Sequence, residues 1–364
     1  MTIVKIANCV HNKSMANQVL VGEAKAKEKV ELAINRDALK KIKHVAIAHS
    51  AVAREMFPTK DAYEAEYEVV ARAAEVHKCI EKLEIPAKLY PGDQYLLTNL
   101  LIDKPDFVLN LVDTLKGRDS LQTSVPAALE LSNIPYTGAG MEGLVIGNNR
   151  NLTKHLLISY QIDTPQFQFI RRSGTQIDPS LAVPLIVKLN ESGGSVGIDN
   201  KAVQETAKDA QKKVDDMLTR YKIPVVVERF IDGTEITACV FDDGTKNHVF
   251  MGEKVFRTKP DGKHEFTSFE SYEDEKSYRY KAVDEQLEAK LAPLVVRTFN
   301  GLSFKDYAKF DIRVDASGTC YFTDCNPNTA FGPDKGLPFT EVLALNGISF
   351  TDVLTSLLSK YAPS

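Results

Sequence analysis

Two short sequences in the second half of the chain, DDGT and ASGT, each interrupt a run in which apolar and polar residues alternate. The interrupted runs span residues 234–256 and 306–326, and a third run, PVVVERF, spans 224–230. Alternation with a period of two is typical of strands that bury one face, and Asp, Gly and Ser favour tight turns between antiparallel neighbours. This half of the chain is therefore predicted to fold as antiparallel sheet.

In the first half of the chain, the apolar residues follow a different pattern. Short apolar runs at 44–49 and 107–111 are typical of buried strands, and they alternate with segments at 61–83 and 124–132 whose apolar residues recur at helical spacing. Strands that alternate with helices in this way predict a parallel sheet. The residues that follow predict four more elements, namely helices at 152–160 and 205–221 and strands at the end of 162–169 and at 183–189.

A chain of 364 residues is too long for one ordinary core, so we predict three units. An α/β unit with a parallel sheet spans 1–140, and two α+β units span 141–228 and 229–364. Residues 1–43 precede the strand–helix pattern and are predicted to be an added N-terminal segment, with a strand in TIVKIANCV and a charged surface helix or linker after it. The polar segment 257–283 is long for a connection, which favours a functional loop.

Charge and composition argue against several functions. The net charge of −4 gives no basic surface for nucleic acid, and no apolar run reaches the roughly 18 residues that cross a bilayer. The first residues lack a signal-peptide core, and five scattered cysteines favour free thiols over a disulfide framework. We therefore expect a cytoplasmic protein with small-molecule partners, which binds neither nucleic acid nor a membrane.

Residues 187–199, VKLNESGGSVGID, contain a glycine-rich stretch that fits three functions. Gly193–Gly197 matches the G-x-S-x-G of a hydrolase nucleophile elbow, but an elbow needs a helix directly after it, and IDNKAV is poor at starting one. The stretch also fits a glycine hairpin between two strands, or a loop that closes over the phosphates of a nucleotide, which its neighbours favour. A second motif, Gly138–Gly143, fits the dinucleotide pattern G-x-G-x-x-G, but a lone match is weak evidence.

Four elements of the sequence carry charged residues in an order that suits phosphate and metal chemistry. They contain, in turn, Arg150 with Lys154, Lys188, Glu228 with Glu235, and Asp311 with Asp324 and Asn326. Asp324 and Asn326 are two residues apart on a strand, so their side chains point the same way, and Asp311 on the preceding strand can lie opposite them. Two carboxylates and an amide oxygen suit Mg²⁺ that carries nucleotide phosphates. The same pattern also fits an Asp and an Asn that cap a turn, together with an ordinary Asp on the surface.

The other charged residues also have two interpretations. Lys188 at the end of an apolar strand is costly to leave unpaired, and either a phosphate or a structural carboxylate would pair it. Glu228 and Glu235 are either functional residues or ordinary surface residues of strands.

The joint order of these motifs resembles the ATP-grasp superfamily, in particular relatives of D-alanine–D-alanine ligase. The resemblance runs from about residue 44 to the C-terminus and is best in 135–157, 184–199, 225–241 and 307–328. It implies an ATP-grasp fold, in which an N-terminal α/β subdomain with a parallel sheet precedes two α+β subdomains that enclose ATP. It also implies a homodimer, because relatives are commonly dimers.

The resemblance implies nucleotide-binding roles for residues at both ends of the ATP. Arg150 and Lys188 would bind the phosphates, with Arg150 where the family usually has lysine. Gly193, Gly194 and Ser195 would cap the phosphates with backbone N–H groups.

At the other end of the nucleotide, Glu228 would meet the adenine amino group and Glu235 the ribose hydroxyls, with Phe230 and Ile231 between them in the chain.

The metal ligands implied by the resemblance are Asp311, Asp324 and Asn326, which would bind Mg²⁺ or Mn²⁺. Asp324 replaces the usual glutamate.

The departures from the family pattern lie on the substrate side. The glutamate that helps to hold the first D-alanine corresponds to Ala53, and the serine that supports it corresponds to Gly194. The arginine that steadies the tetrahedral oxyanion corresponds to Lys309, with Arg313 further along the same strand. Lys309, Arg313 and Ser195 are therefore the candidate catalytic residues.

Three residues are candidates for contact with the substrates. The serine that meets the carboxylate of the second substrate falls near Lys335, which as a solvated loop lysine would also fit the sequence. Lys276 lies in the segment where the family closes a lid, and Asn328 follows the metal-ligand pattern.

Nucleotide chemistry is thus retained while the D-alanine subsites are changed. We predict an ATP-dependent carboxylate–amine ligase that works through an acyl phosphate and joins amino acids, or an amino acid and another small or peptide-like acid. An authentic D-alanine–D-alanine ligase and an ATP-binding protein without catalysis are the alternatives.

Overall fold

The strand–helix alternation of the first half folds as a three-stranded parallel sheet. Its strands are β1 (Val45–Ser50), β2 (Ala87–Gly92) and β3 (Phe107–Leu111), in the order β2-β1-β3. β1 and β3 are buried along their whole length, as is usual in a parallel sheet with covered faces, and this is why both are continuous apolar runs. The structure is a computed structural model that describes residues 30–270 and 277–363, so the predicted strand in TIVKIANCV lies outside the described residues.

The helices of this first region are α1 (Arg36–Leu39), α2 (Lys60–Glu64), α3 (Val69–Glu81), α4 (Leu96–Asp103) and α5 (Ser124–Leu131), with 3₁₀ turns at Arg54–Met56 and Asp119–Thr123. Helices α3 and α4 pack against strands of the parallel sheet. The prediction of one helix over 61–83 is wrong at its centre, because the chain turns between α2 and α3. The apolar spacing continues through this break because Ala62 and Ala65 pack against the core of the second sheet. Strand β2 and helix α4 were not predicted.

The second sheet has four antiparallel strands in the order β4-β7-β5-β6. The strands are β4 (Phe167–Ile170), β5 (Leu185–Leu189), β6 (Val203–Gln204) and β7 (Val225–Arg229), and the helices are α6 (Met141–Gly147), α7 (Arg150–Ser159) and α8 (Ala207–Tyr221). Thr206 caps α8 by accepting a hydrogen bond from the Asp209 N–H. Helix α8 buries Ala210, Val214 and Met217, which recur at helical spacing, and packs against β5 and β7.

The third sheet has five antiparallel strands in the order β10-β9-β8-β11-β12. The strands are β8 (Thr234–Asp242), β9 (Asn247–Phe256), β10 (Tyr278–Lys281), β11 (Tyr307–Val314) and β12 (Cys320–Pro327), and the helices are α9 (Glu285–Gly301), α10 (Pro338–Leu345) and α11 (Phe350–Tyr361). The apolar residues that alternate along β8 and β11 form one core with the buried face of α9. The sequence prediction of antiparallel sheet in this half of the chain is therefore confirmed.

Both predicted hairpin turns are present. In DDGT, Asp243 Oδ1 accepts hydrogen bonds from the N–H groups of Thr245 and Lys246. Asp315, directly before ASGT, accepts one at Oδ1 from the N–H of Thr319. Gly244 has φ +87°. Glycine adopts this left-handed conformation without steric cost, which is why it occupies the turn.

The segment 257–283 is only partly a loop. Its end forms the edge strand β10, which pairs with β9, and residues 271–276 lie outside the described residues. The three predicted units agree in number with the three sheets, but the unit boundaries at 140/141 and 228/229 remain predictions.

In the described part of the chain, no single helix is long and apolar enough to cross a membrane. Helices α10 and α11 meet that criterion only as a pair, and they are bent by 105° relative to each other.

Candidate active site

A cavity of about 230 Å³ lies where residues of all three sheet regions meet. Most residues that the sequence predicts for the site line this cavity. They are Arg150, Lys188, Gly193, Gly194, Ser195, Glu228, Phe230, Ile231, Glu235, Lys309, Asp311, Arg313, Asp324, Asn326 and Asn328. The motifs are scattered over the sequence, but the fold brings them together in one place.

A buried carboxylate in the cavity wall pairs with two lysines, of which Lys188 also lines the cavity. Glu228 is 1% exposed, and its two carboxylate oxygens lie 2.5 Å from Lys188 Nζ and 2.5 Å from Lys154 Nζ. Burial alone would raise the pKa of Glu228, but the two lysines outweigh burial and lower it. The interpretation of Glu228 as an ordinary surface residue is therefore wrong, and it is also wrong for Glu235, which is 8% exposed.

A second carboxylate connects the cations to the third sheet. Asp324 on β12 lies 2.5 Å from Arg150 Nε and 3.1 Å from Lys188 Nζ. Burial would raise the pKa of Asp324, but Arg150 and Lys188 hold it well below its ordinary value. The sequence predicted either a phosphate or a structural carboxylate as the partner of Lys188, and in this structure the partners are carboxylates. Arg150 also donates to the carbonyls of Leu189 and Ser192, which ties the start of α7 to the glycine-rich stretch.

The predicted metal ligands face one another across the β11–β12 hairpin. Asp311 is directly opposite Asp324 in the register, and Asn326 Nδ2 lies 3.3 Å from Asp311 Oδ2, an oxygen that Lys309 also contacts. Asp311 Oδ1 is buried and has no hydrogen-bond partner. Within residues 30–270 and 277–363, no three His, Cys, Asp or Glu side chains converge on a metal site. The residues fit Mg²⁺ only as two carboxylates with the amide oxygen of Asn326, and the orphaned oxygen of Asp311 supports that fit.

The opposite end of the cavity is apolar. Ile186, Ile198, Phe230 and Phe266 are buried there in one small cluster. This cluster provides flat, apolar walls of the kind that surround an aromatic ligand.

Glu235 lies beside this apolar end and is fixed by cations. Its carboxylate accepts from Lys254 Nζ at 2.8 Å, from Thr267 Oγ1 at 2.9 Å and from Arg313 at 3.0 Å. Burial would raise its pKa, but Lys254 and Arg313 lower it to about 2. Arg313 also donates to the carbonyls of Ile231 and Gly233. All three guanidinium nitrogens are thus engaged at this end of the cavity, so the geometry does not support the expected catalytic role of Arg313.

The glycine-rich stretch is a tight loop rather than a nucleophile elbow. Gly194, Ser195 and Gly197 have φ of +57°, +56° and +79°, and the next helix begins only at Ala207. The Gly193 N–H donates to Asp119 Oδ2 at 2.8 Å, so the loop is fastened to the N-terminal region. The elbow interpretation is excluded because an elbow places its serine directly before a helix.

The second glycine motif has a structural role in this fold. The Gly138 N–H donates to Asp306 Oδ2 at 2.6 Å, and the Ala139 N–H donates to Asn328 Oδ1 at 2.7 Å. Side chains of the protein thus occupy the N–H groups that a dinucleotide would need. Asn328 is 7% exposed and lines the cavity next to this contact.

Of the other predicted substrate residues, Lys335 is not brought to the cavity. Lys335 is exposed and is absent from the described residues that line the cavity, which agrees with a solvated loop lysine. Lys276 lies outside the described residues.

The N-terminal wall of the cavity carries acidic residues that sequence analysis missed. Glu66, Asp113 and Asp119 line it together with Arg72, whose guanidinium is 3.9 Å from Asp113. Burial raises the pKa of Asp113 and of Asp119 to about 6. No local pattern marks these residues, because they come from the α2–α3 turn, the loop after β3 and a 3₁₀ turn. Lys254 was also missed, although a lysine at an inward position of an alternating strand is a recognisable signal.

Comparison with known proteins agrees with this architecture. A family model described as the D-ala D-ala ligase C-terminus matches residues 156–359. Among curated proteins, an uncharacterized protein of Sinorhizobium fredii, y4sG, is 28% identical over 74% of this chain and 81% of its own length. A D-alanine–D-alanine ligase of Cupriavidus taiwanensis is 24% identical over 67% of this chain and 73% of its own length.

Two solved structures are similar in fold. The D-alanine–D-alanine ligase of Bacillus anthracis, complexed with ATP, has a TM-score of 0.66 and 18% identity, covering 88% of this chain and 97% of its own. The VanG D-Ala:D-Ser ligase of Enterococcus faecalis has a TM-score of 0.65 and 17% identity, covering 88% and 99%. The expected fold class is confirmed by these likenesses, and the family model covers more than half of the chain. The chain therefore belongs to the D-alanine–D-alanine ligase family of ATP-grasp enzymes, which are ligases that form carbon–nitrogen bonds.

Proposed function

We propose that this protein is an ATP-dependent carboxylate–amine ligase that joins an amino acid to a second amino acid or another small acid, with substrates other than two D-alanines. The observation that carries the proposal is the meeting of Lys188, Arg150 and the glycine-rich loop with the Asp311–Asp324 pair in one cavity. Positive charge and N–H donors aimed at a phosphoryl group are the main resources for phosphoryl transfer.

The roles of the residues follow from their positions. Lys188 and Arg150 bind phosphate oxygens, and Asp311, Asp324 and Asn326 hold Mg²⁺ or Mn²⁺. The apolar end around Phe230 receives adenine, and Glu235 accepts hydrogen bonds from ribose hydroxyls. When bound, metal-complexed ATP supplies the phosphoryl group that makes a substrate carboxylate reactive toward an amine.

Two residues take supporting roles in this proposal. Lys309 is 14% exposed beside Asp311 and is the cation available to a substrate carboxylate or to the oxyanion formed when the amine attacks. It acts as a point charge, whereas the family's arginine is a planar fork. Arg313 positions Glu235 and the β7–β8 connection.

Ligation of two D-alanines is a second candidate, because several curated relatives are D-alanine–D-alanine ligases. The changed substrate side favours other substrates, since Ala53, Gly194 and Lys309 stand where the resemblance expects glutamate, serine and arginine.

Phosphate release from Mg·ATP tests the proposal. The protein is given pooled and then single amino acids, with D-alanine alone as one arm and product mass as a second readout. We expect release with an acid–amine pair other than two D-alanines, and a loss of about 100-fold or more in Lys188→Met, because an interaction with the transferring phosphoryl group is removed. Lys201→Met, at an exposed lysine outside the cavity, is the matched control.

Each alternative predicts a different result. Strong turnover with D-alanine alone establishes the dipeptide ligase. ATP binding that is lost in Lys188→Met, without turnover in any arm, establishes a non-catalytic nucleotide-binding protein. ATP binding that Lys188→Met leaves unchanged contradicts the site itself.

A further inference from the structure

A second cavity, which we call the side chamber, adjoins the active-site cavity at the glycine-rich loop. It has a volume of about 410 Å³. It lies between the segments 56–66 and 116–120 on one side and the segments 189–196 and 221–224 on the other. The two cavities share the residues Ala65, Glu66, Asp119, Ser192 and Gly193. A ligand that passes this shared wall can therefore occupy both cavities.

The lining of the side chamber is about half apolar. Its apolar residues include Met56, Phe57, Ala62, Val196, Ile223 and Pro224, and its charged residues are Glu66, Lys116, Arg118, Asp119, Glu191 and Lys222. The hydroxyl of Tyr221 is already engaged, since it donates to Asp61 Oδ2 at 2.5 Å. An engineered cavity of about 150 Å³ is enough to bind benzene, so the side chamber accommodates an aromatic or large aliphatic group. A methyl group, such as the side chain of alanine, would leave most of it empty.

The wall between the two cavities carries two carboxylates, those of Glu66 and Asp119. Glu66 accepts one long hydrogen bond, at 3.5 Å from Thr114 Oγ1, and Asp119 accepts one from the Gly193 N–H. The adjacent Arg72 lies nearest Asp113, at 3.9 Å. Burial, followed by the charges of Asp113 and Asp119, raises the pKa of Glu66 well above its ordinary value. Among the described residues, no lysine or arginine lies within ion-pair distance of either carboxylate, so both can pair with an ammonium group of a ligand.

We infer that the side chamber is a subsite for the large apolar side chain of an α-amino acid, whose ammonium lies against Glu66 and Asp119. The carboxylate of this amino acid then faces Lys309 and the Asp311–Asp324 pair, as the acyl donor must. The role of this amino acid as the acyl donor rests on the proposed function. The binding of such an amino acid depends only on the two cavities.

Direct binding measurements test this subsite without turnover. The full-length protein, with Mg²⁺ and a non-hydrolysable ATP analogue, is titrated calorimetrically with both enantiomers of phenylalanine and alanine, and with 3-phenylpropanoate, which lacks the ammonium. We expect one enantiomer of phenylalanine to bind about tenfold or more tightly than alanine, because apolar contacts in the chamber add to the shared contacts. Phenylalanine should also bind more tightly than 3-phenylpropanoate.

Two kinds of variant separate the chamber from the carboxylates. Ala62→Phe and Met56→Trp reduce the chamber volume and should weaken phenylalanine about tenfold while alanine changes little. Ala71→Phe, at an exposed position of α3, is the matched control for added bulk. Glu66→Gln should remove the preference for phenylalanine over 3-phenylpropanoate, whereas Glu64→Gln, two residues away and ion-paired with Lys60, should keep it.

The inference is overturned if wild-type protein binds alanine as well as phenylalanine, or binds neither at millimolar concentration. It is also overturned if both bulky variants keep the wild-type melting temperature and the wild-type affinity for phenylalanine. Phosphate release, measured on the same proteins, tests the proposed function separately. Phosphate release that is equal in wild type and in the chamber variants contradicts only the subsite. Phenylalanine binding without phosphate release for any pair of substrates contradicts only the ligase.

Discussion

At the scale of single residues, Glu228 is the side chain on which the buried charges of the site depend. It is the shared partner of Lys154 and Lys188, and Lys154 has no other carboxylate within ion-pair distance among the described residues. Glu228 lies between the two lysines, so the removal of Glu228 affects both of them, whereas the removal of Lys154 affects only one ion pair.

Replacement of Glu228 should therefore be more harmful than replacement of Lys154. Glu228→Gln leaves a buried lysine without a carboxylate, and we expect it to lower the free energy of unfolding by about 3–5 kcal/mol. Lys154→Met should cost less, because Glu228 keeps Lys188. Urea unfolding of the two variants gives the comparison, and equal losses would show that Glu228 does not hold both lysines.

Asp119 predicts a pH dependence of stability. Its folded-state pKa of about 6 lies above its ordinary value, so the folded protein binds this proton more tightly than the unfolded chain does. Stability should then fall as pH rises from about 4 to about 6, and stay constant with respect to this group above that range. Two pKa units correspond to at most about 3 kcal/mol, and partial exposure reduces this to about 1–3 kcal/mol.

Asp119→Asn should remove this loss, because the amide oxygen still accepts from the Gly193 N–H and carries no charge. We expect the variant to equal wild type at pH 4 and to exceed it by about 1–3 kcal/mol at pH 7. Urea unfolding at the two pH values measures the difference. The same pH dependence in both proteins would rule out the raised pKa.

Sequence analysis found the charged residues of the nucleotide side because each one stands out locally. Lys188 ends an apolar strand, and Asp324 and Asn326 have strand spacing on one hairpin. Glu66 and Asp119 could not be found in this way, because only the folded chain brings the α2–α3 turn and the 3₁₀ turn to the same wall.

At the scale of elements, the glycine-rich loop joins the second sheet to the N-terminal region. A Cβ atom on Gly194 would lie 2.9 Å from Ala65 Cβ, closer than side chains tolerate, and its φ of +57° is left-handed. The sequence identified this loop correctly as something other than an elbow, but its contact with Ala65 depends on tertiary packing.

Gly194→Ala tests whether this close contact matters for function. We expect the loop to move away from Ala65 and phosphate release to fall by about 10–100-fold, because misplaced donors no longer meet the phosphates. Gly174→Ala is the matched control, because Gly174 has φ +80° and no neighbour within 4 Å of the added Cβ. Steady-state kinetics of both variants test this prediction. Equal activities would mean that the position of the loop beside Ala65 does not matter for phosphate release.

The elements themselves were predictable where the apolar pattern was long. β8, β9, β11 and β12 followed from alternation, and both hairpin turns from Asp and Gly. The break between α2 and α3 was not predictable, since Ala62 and Ala65 keep helical spacing while they pack against a different sheet.

At the scale of the whole molecule, the lining of the active-site cavity comes from the N-terminal region and from the regions of the second and third sheets, so a ligand bound there can contact all three regions. Mg·ATP at about 100 times its dissociation constant should raise the free energy of unfolding by about 2.7 kcal/mol. Thermal or urea unfolding with and without Mg·ATP measures this, and Lys188→Met should lose most of the increase. An unchanged stability of wild type under saturating nucleotide would contradict binding to the folded state.

The change in apolar pattern between the two halves of the sequence, together with the family resemblance, predicted three units, and the structure contains three sheets in the described residues. The unit boundaries at 140/141 and 228/229 remain predictions, and the glycine-rich loop bonds to Asp119 across the first of them. The role of Ala65 could not be predicted from the sequence, because it arises from contacts with the second sheet and the glycine-rich loop.

The hydrogen bond from Gly193 to Asp119 has a thermodynamic consequence. It couples the loop that faces the phosphates to the wall that faces the amino acid, so a ligand that orders one partner lowers the entropic cost for the other. Such coupling is reciprocal: if nucleotide tightens amino-acid binding by some factor, amino acid tightens nucleotide binding by the same factor. A single hydrogen bond worth about 1 kcal/mol limits that factor to about five, enough to favour the ternary complex over either binary one.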